Sequence, residues 1–378
     1  MKITHIVSSL ESNQGGPPNS VLNMAEHQSK LGYKIKVISK IKKLDKKKKT
    51  KLKGIEIIKG EFLFKRHYIP NFTFIIKIYK ALKNSDIVHL HGIWNGVISI
   101  SLILCRLMKK KTILTPHGSL DSFNIKNRFY FKKFYYYLIE KFNLEYVHAY
   151  HFLTKKEFDN SCWINTLTNK KKLIQSNGID IEYLKNIKIN KKIPTDKNKI
   201  NITYIGRLNK IKNIQIQIKL LFKLLTKDKN YVLNIIGPDD GELVKLKNLT
   251  KKLNLEGKVN FKAPIYSEQR FSWIKNSDII LLTSFYECNS VLAIETIALG
   301  GVLLCTNSCN LSDAAKFGAV KSSKNNLQNL IKSVNYLNNN KNSRNLREKA
   351  LKYALKYLDI KRNIKKILNL YKEVVKVN

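Results

Sequence analysis

The sequence predicts an α/β protein made of two doubly wound parallel sheets in tandem, followed by a helical tail. Three observations carry this. Short β-rich runs alternate with helix-length segments across the first half. The alternation stops over a polar, lysine-rich stretch and restarts near residue 200. The length of 378 residues, 43% of them hydrophobic, suits two domains that each bury a core.

In the first half, 2–7, 34–39, 55–58, 86–91, 112–116 and 149–153 read as strands, with helical patterns at 20–31, 73–83 and 126–142. Thr154 and Glu157 have the spacing of a capping box that opens another helix. The stretch 185–199 contains Pro194 and lacks apolar periodicity, which marks a linker. Strands are then expected at 201–205, 232–236, 259–261, 278–283 and 302–306, and helix over most of 325–377. The domains read as 1–185, a linker at 186–199, 200–357, and a terminal helix at 358–378.

The formal net charge is +43, and 62 of the 70 basic residues are lysine. A base-reading protein favours arginine, whose planar fork matches guanine edges and phosphates. No nucleic-acid partner is therefore expected, although so basic a chain is drawn to anionic surfaces in a salt-sensitive way. Five cysteines, an odd number without CxxC spacing, point away from a disulfide framework or a structural zinc site and suit a reducing compartment. No signal peptide is evident, and the longest apolar stretch, 93–108, is short for a bilayer span. The expected location is the cytoplasm.

In doubly wound sheets ligands bind at the carboxyl ends of the strands, and the unusual residues lie there. Gly15 and Gly16 follow the first strand and open a helix, which either brings backbone close to an anion or is simply a flexible loop. His91-Gly92 ends the fourth strand and His117-Gly118 the fifth. Such histidines can face a ligand, whereas the mid-strand His89 reads as structural. Arg207 and Lys212 bracket the start of the second half and surround a space suited to a diphosphate. Glu287 and Glu295, eight apart, flank Asn289, Ser290 and Val291 at a helix start. They can hold sugar hydroxyls at two points, or be a capping residue and a helix-surface glutamate. Asp239-Asp240 reads as a turn rather than a metal site.

Taken together these segments resemble the GT-B glycosyltransferases, specifically the retaining family 4 group. The residues that carry the resemblance are Gly206-Arg207-Leu208 with Lys212-Asn213, the E-x7-E element from Glu287 to Glu295, and the turn Ser176-Asn177-Gly178-Ile179-Asp180. His91-Gly92-Ile93-Trp94 and Thr115-Pro116-His117-Gly118 are similar to segments of cell-surface polysaccharide transferases. The resemblance implies two Rossmann-like domains facing across a cleft, with a C-terminal helix that crosses back to the first. It also implies a role for each residue. Arg207 and Lys212 would hold the donor diphosphate, Glu295 the ribose, and Glu287 the donor sugar. His117 would reach the sugar or phosphate, Gly16 would admit the diphosphate, Asn289, Ser290 and Val291 would line the donor site, and His91 and Trp94 would lie on the acceptor side. Asn289-Ser290 stands where the family usually has an aromatic residue and glycine, and Gly301-Val302 lacks the usual proline.

The implied reaction is a metal-independent, front-face transfer from a nucleotide-diphosphate sugar, used as co-substrate, to a glycan or lipid-linked acceptor. No cofactor is implied. Two basic segments, 40–53 and 126–142, make an anionic membrane surface a candidate partner for peripheral attachment, against a plain reading as solvated loop and core-facing helix. The competing functions are a GT-B nucleotide-sugar epimerase, an inactive scaffold with this fold, and a basic nucleic-acid-binding protein.

Overall fold

The computed structural model describes residues 1–378 except 12–15, 42–51, 65–67, 164–168, 188, 191–192, 194, 197, 227–229, 266–267 and 377–378. Gly15 and most of the lysine stretch at 40–53 therefore lie outside the described residues. The chain divides into two compact units: Met1–Gly178 with Ile360–Asn378, and Ile179–Asp359.

In the first unit the strands are β1 (Lys2–Ser9), β2 (Lys34–Lys40), β3 (Ile55–Gly60), β4 (Phe62–Phe64), β5 (Ile69–Pro70), β6 (Ile87–His91), β7 (Thr112–Thr115), β8 (Ala149–Phe152) and β9 (Lys171–Ile174). Seven of them form one parallel sheet in the order β3-β2-β1-β6-β7-β8-β9, so the switch point lies between β1 and β6. β4 and β5 form a separate antiparallel pair, too short to show any periodicity in sequence. β9 is also new relative to the sequence reading. It is an edge strand whose two lysines face solvent, and it carries no buried alternation.

Both faces of this sheet are covered, as a parallel sheet requires. Ile6, Ile38, Val88, Leu90, Leu114 and Tyr150 pack on one side. On the other, Ile3, Val7, Val37, Ile87, Ile113 and Ala149 pack with helix Gly16–Lys30 and the terminal helix Ile360–Lys376. The terminal helix buries Ile360, Ile364, Ile367, Tyr371 and Val374 along one stripe at helical spacing, which explains why it docks by that face. Helix Gly16–Lys30 starts four residues earlier than its apolar pattern suggests, because Pro17 and Pro18 sit in the first turn, where no backbone N–H is needed.

The expected helix at 126–142 is broken. Arg128 adopts a left-handed conformation (φ 60°) between helices Ser122–Lys126 and Phe129–Tyr135, and a π-helical turn Tyr136–Glu140 leads into Lys141–Tyr146. Its aromatic residues are not core-facing as a set. Tyr136 is buried, but Phe129, Tyr130, Phe131, Phe134 and Tyr137 are exposed.

The second unit has a parallel sheet of β10 (Ile200–Ile205), β11 (Tyr231–Ile236), β12 (Val259–Lys262), β13 (Ile279–Leu282), β14 (Leu303–Thr306) and β15 (Lys321–Ser323), in the order β12-β11-β10-β13-β14-β15. The short edge strand β15 is again absent from the sequence reading. The units divide at Gly178, ahead of the linker expected at 186–199, and Ile187, Ile189 and Ile193 of that segment pack on the second unit's core. Three isoleucines spaced through polar residues make no helical or strand pattern, yet each still buries apolar surface.

Candidate functional site

In the second unit, the loops after β10, β11 and β13 meet at the carboxyl end of the sheet. Gly237, at φ +153°, lies so close to Gly206 that a side chain there would put its Cβ 1.9 Å from the Gly206 carbonyl oxygen. The two strand-end loops therefore touch through backbone, which needs glycine. Leu208 and Asp239 form a parallel bridge beside them.

Lys210–Lys212 form a single 3₁₀ turn capped by Asn209, and Asn213 takes a left-handed conformation before helix Ile214–Leu225. The Thr283 hydroxyl donates to the carbonyls of Lys212 and Asn213, and the Phe285 amide donates to the Ile211 carbonyl. The loops bearing the two basic residues and Glu287 are thus fixed to each other.

Both cations are held by carboxylates. Lys212 Nζ lies 2.6 Å from Glu287 Oε1, which also accepts from the Ser284 hydroxyl at 2.7 Å. The pair is largely buried, so it is screened little by salt. Arg207 donates to Asp240 at 2.9 Å, and Asn209 donates to the same oxygen at 3.0 Å. Asp239 accepts from the amides of Gly241, Glu242 and Leu243, and these hold its carboxyl below the usual range. Asp239 is thus the turn the sequence suggested, while Asp240 is the counter-ion of Arg207.

Ser290 caps helix Val291–Ala298 by accepting from the Ala293 amide. Glu295 lies just over one turn inside and is buried rather than on the helix surface. Its Oε1 pairs with Arg270, while Glu295 Oε2 and Arg270 Nε are buried with no partner among the described residues. Burial raises the Glu295 carboxyl above its usual range, and Arg270 opposes that shift. An unpaired acceptor and an unpaired donor on one ion pair suit a ligand that donates and accepts, such as a vicinal diol. The sequence reading missed Arg270 and Asp240, which are distant in the chain from their partners.

In the first unit, His5, His89, His91, Thr115 and His151 occupy the same side of β1, β6, β7 and β8. His5 is in register with His89, and His91 with Thr115. His89, read as structural, has both nitrogens engaged, with Tyr371 and Thr115. His91 is 3% exposed, and its nitrogens bond to His5 at 3.1 Å and His117 at 3.2 Å. It stands behind His117 rather than open to an acceptor. His117 and Trp94 both have left-handed backbone, at φ 54° and 65°, an uncommon conformation for bulky residues. Trp94 Nε1 donates to the Ser119 carbonyl, and its ring packs edge-on against Trp163. Gly16 opens its helix at the carboxyl end of β1.

The nitrogens of His5, His89 and His91 lie within 4.8 Å of one another, a spacing that could take a transition metal. All six already have hydrogen-bond partners, so a metal would have to displace them.

The loop bearing His117 is anchored by Glu157. Thr154 caps helix Lys155–Asp159 by accepting from the Glu157 amide. The Glu157 carboxylate does not close the box on Thr154. It accepts from the amides of Leu153 at 2.6 Å and Gly118 at 2.5 Å, and it is fully buried. Glu157→Ala strands both donors and is expected to cost about 3 kcal/mol, read as a lower urea midpoint at unchanged m-value. A change below about 1 kcal/mol would mean the carboxylate is not the anchor.

A family model described as Glycosyl transferases group 1 matches residues 185–357, and one for Glycosyltransferase Family 4 matches residues 14–183. The chain is 26% identical over 254 residues to a 41.2 kDa protein in the cps region of Klebsiella pneumoniae, covering 65% of this chain and 67% of that protein. It is 21% identical over 305 residues to the GDP-mannose:cellobiosyl-diphosphopolyprenol alpha-mannosyltransferase of Xanthomonas campestris, covering 79% of this chain and 77% of the relative. Anabaena HepE, solved in complex with UDP-glucose, superposes with a TM-score of 0.75 at 14% identity, covering 99% of this chain and 100% of that one. The chain belongs to the family 4 glycosyltransferases of GT-B fold.

Proposed function

We propose that this glycosyltransferase moves a sugar, with retention, from a nucleotide-diphosphate donor to a glycan or lipid-linked acceptor of a cell-surface polysaccharide or lipopolysaccharide. The observation that carries it is the paired cations of the second unit, Arg207 and Lys212, held on loops tied to each other and to Glu287. A diphosphate that displaces Asp240 from Arg207 and shares Lys212 meets fixed positive charge where negative charge grows as the nucleotide leaves. That charge does what a metal does in other transferases, which supports a metal-independent reaction. Glu287, freed from part of its bond to Lys212, turns to the donor sugar. Glu295 Oε2 accepts from the ribose, and Asn289, Ser290 and Val291 line the donor site. In the first unit, Gly16 would admit the diphosphate and His117 would reach the sugar, with His91 acting through His117 and Trp94 on the acceptor side. In a front-face mechanism a donor phosphate oxygen takes the proton of the acceptor hydroxyl, and the oxocarbenium-like centre is attacked from the side the nucleotide leaves.

One relative is named for GDP-mannose and a structural neighbour was solved in complex with UDP-glucose, so the base is to be read by experiment. Purified protein is expected to gain several degrees of melting temperature with one member of a panel of UDP-, GDP-, ADP- and CMP-sugars near 100 times its Kd, about 2.7 kcal/mol of linkage. Stabilisation by single-stranded RNA and by no sugar nucleotide would overturn the reading. Nucleotide release is expected to require an acceptor, whereas conversion of the sugar nucleotide to its epimer without any acceptor would favour an epimerase.

The described residues include no helix long and apolar enough to cross a membrane. Exposed Phe129, Tyr130, Phe131, Phe134 and Tyr137 interleaved with Lys132 and Lys133 support peripheral attachment to the inner face of the cytoplasmic membrane, where lipid-linked acceptors reside. Co-sedimentation with phosphatidylglycerol vesicles is expected to fall about tenfold in Tyr130→Ser/Phe134→Ser and to weaken with salt. Equal binding by wild type and variant would remove this helix from the account.

A further inference from the structure

Beneath the terminal helix, the buried face of the first sheet carries a line of polar groups in which every hydrogen bond has only one allowed direction. The Gln175 carbonyl can only accept, so His151, 2.8 Å away, donates to it from Nε2. Burial lowers the His151 pKa to about 4, so at neutral pH its Nδ1 carries a lone pair. Thr115, 3.0 Å from that nitrogen, must donate to it. Thr115 then accepts from His89 Nε2 at 2.7 Å, and His89 Nδ1 accepts from the Tyr371 hydroxyl at 2.6 Å. The Met24 sulfur, 3.9 Å from the Tyr371 hydroxyl, is a weak acceptor beside the His89 nitrogen, so the one proton of Tyr371 goes to His89. Tyr371 then accepts from the Gln28 amide at 3.3 Å, which turns Gln28 Oε1 toward His5 Nε2 at 2.7 Å. His5 Nδ1 accepts from His91 Nε2, and His91 Nδ1 accepts from His117 Nε2. The last lone pair in the line is His117 Nδ1. It is the one ring nitrogen of the five histidines with no partner among the described residues.

We propose that this line is a tautomer lock that keeps the proton of His117 on Nε2, so that His117 meets the substrate as an acceptor from a sugar hydroxyl and not as a donor to phosphate. Tyr371 and Gln28 are its positioning residues. The identity of the ligand rests on the glycosyltransferase reading above, whereas the lock does not. A phosphate oxygen at neutral pH has no proton to offer, so a lone pair facing it repels, while a hydroxyl satisfies it. The line orients and does not conduct, because its far end is a backbone carbonyl that cannot take up a proton and pass it on. Its centre comes from the terminal helix, so the docking of that helix determines which nitrogen of His117 is protonated.

The test is the side-chain 15N–1H spectrum of full-length protein labelled on histidine, without ligand, with the His117 signals assigned by their loss in His117→Ala. His117 is expected to carry its proton on Nε2 alone. Tyr371→Phe keeps the ring packing but releases Gln28 to rotate, and the Nδ1–H form of His117 is expected to rise at least about tenfold. Gln28→Leu cuts the line one bond nearer to His117 and serves if Tyr371→Phe does not fold. A proton on Nδ1 in the wild type overturns the lock, and so does a His117 signal unchanged in both variants. Neither result depends on catalysis. Failure of the transferase reading would show separately, as an absence of binding to every sugar nucleotide.

Discussion

Arg207→Ala is expected to lower the rate of sugar transfer by about 10²–10³-fold, the usual cost of removing one preorganised charge from a developing anion. The side chain is about half exposed and its bond to Asp240 is a surface pair, so the substitution should barely change stability. The loss should therefore appear in kcat and kcat/KM while the urea midpoint stays within error of the wild type. The same variant should lose the thermal stabilisation that the preferred sugar nucleotide confers. Wild-type turnover in Arg207→Ala would remove this residue from the donor site, and with it the main support for placing the diphosphate between β10 and β13.

The second large effect is acid sensitivity of the first unit. Free imidazole protonates near pH 6.5. Burial lowers His5 and His151 to about 4 and pushes His89 and His91 well down, with neighbouring histidines adding to the shift at His89 and His91. Between about pH 6.5 and 4 the unfolded chain thus binds protons that the folded chain refuses, so stability falls as pH drops through that window. Each such histidine changes the folding equilibrium by about tenfold per pH unit. Four together predict a steep fall in the urea midpoint between pH 7 and pH 5. Repulsion among the excess lysines acts in the same direction but is relieved by salt, whereas desolvation of buried imidazoles is not. A midpoint that is flat with pH, or whose fall vanishes in 1 M salt, would show that the histidines are not what acid attacks.

These two expectations differ in how far the sequence leads to them. The alternation of short apolar runs with helical segments determined the doubly wound class, because a strand covered on both faces is mostly apolar whatever it packs against. Strand-end placement then singled out Arg207, Lys212 and His117 as candidates, and the family resemblance added Glu287 and Glu295. Edge elements such as β9 and β15 escaped, since a strand with solvent on one side has no apolar run to betray it.

Tertiary structure alone decided the partners. Arg207 meets Asp240 across 33 positions, and Lys212 meets Glu287 across 75, because neighbouring strands bring their end loops to one edge of a sheet. Glu295 reads as a surface residue until Arg270, 25 positions away, is placed beside it. The histidine line is the clearest case. His5, Gln28, His89, Thr115, His151 and Tyr371 share no local pattern, and His89 meets Tyr371 across 282 positions. Parallel strands lie ~4.8 Å apart, so side chains on one face become neighbours however far apart they are in the chain. Propensity and periodicity report what a residue does within its own element. The direction of a hydrogen bond depends on the group opposite it, and only the fold supplies that group.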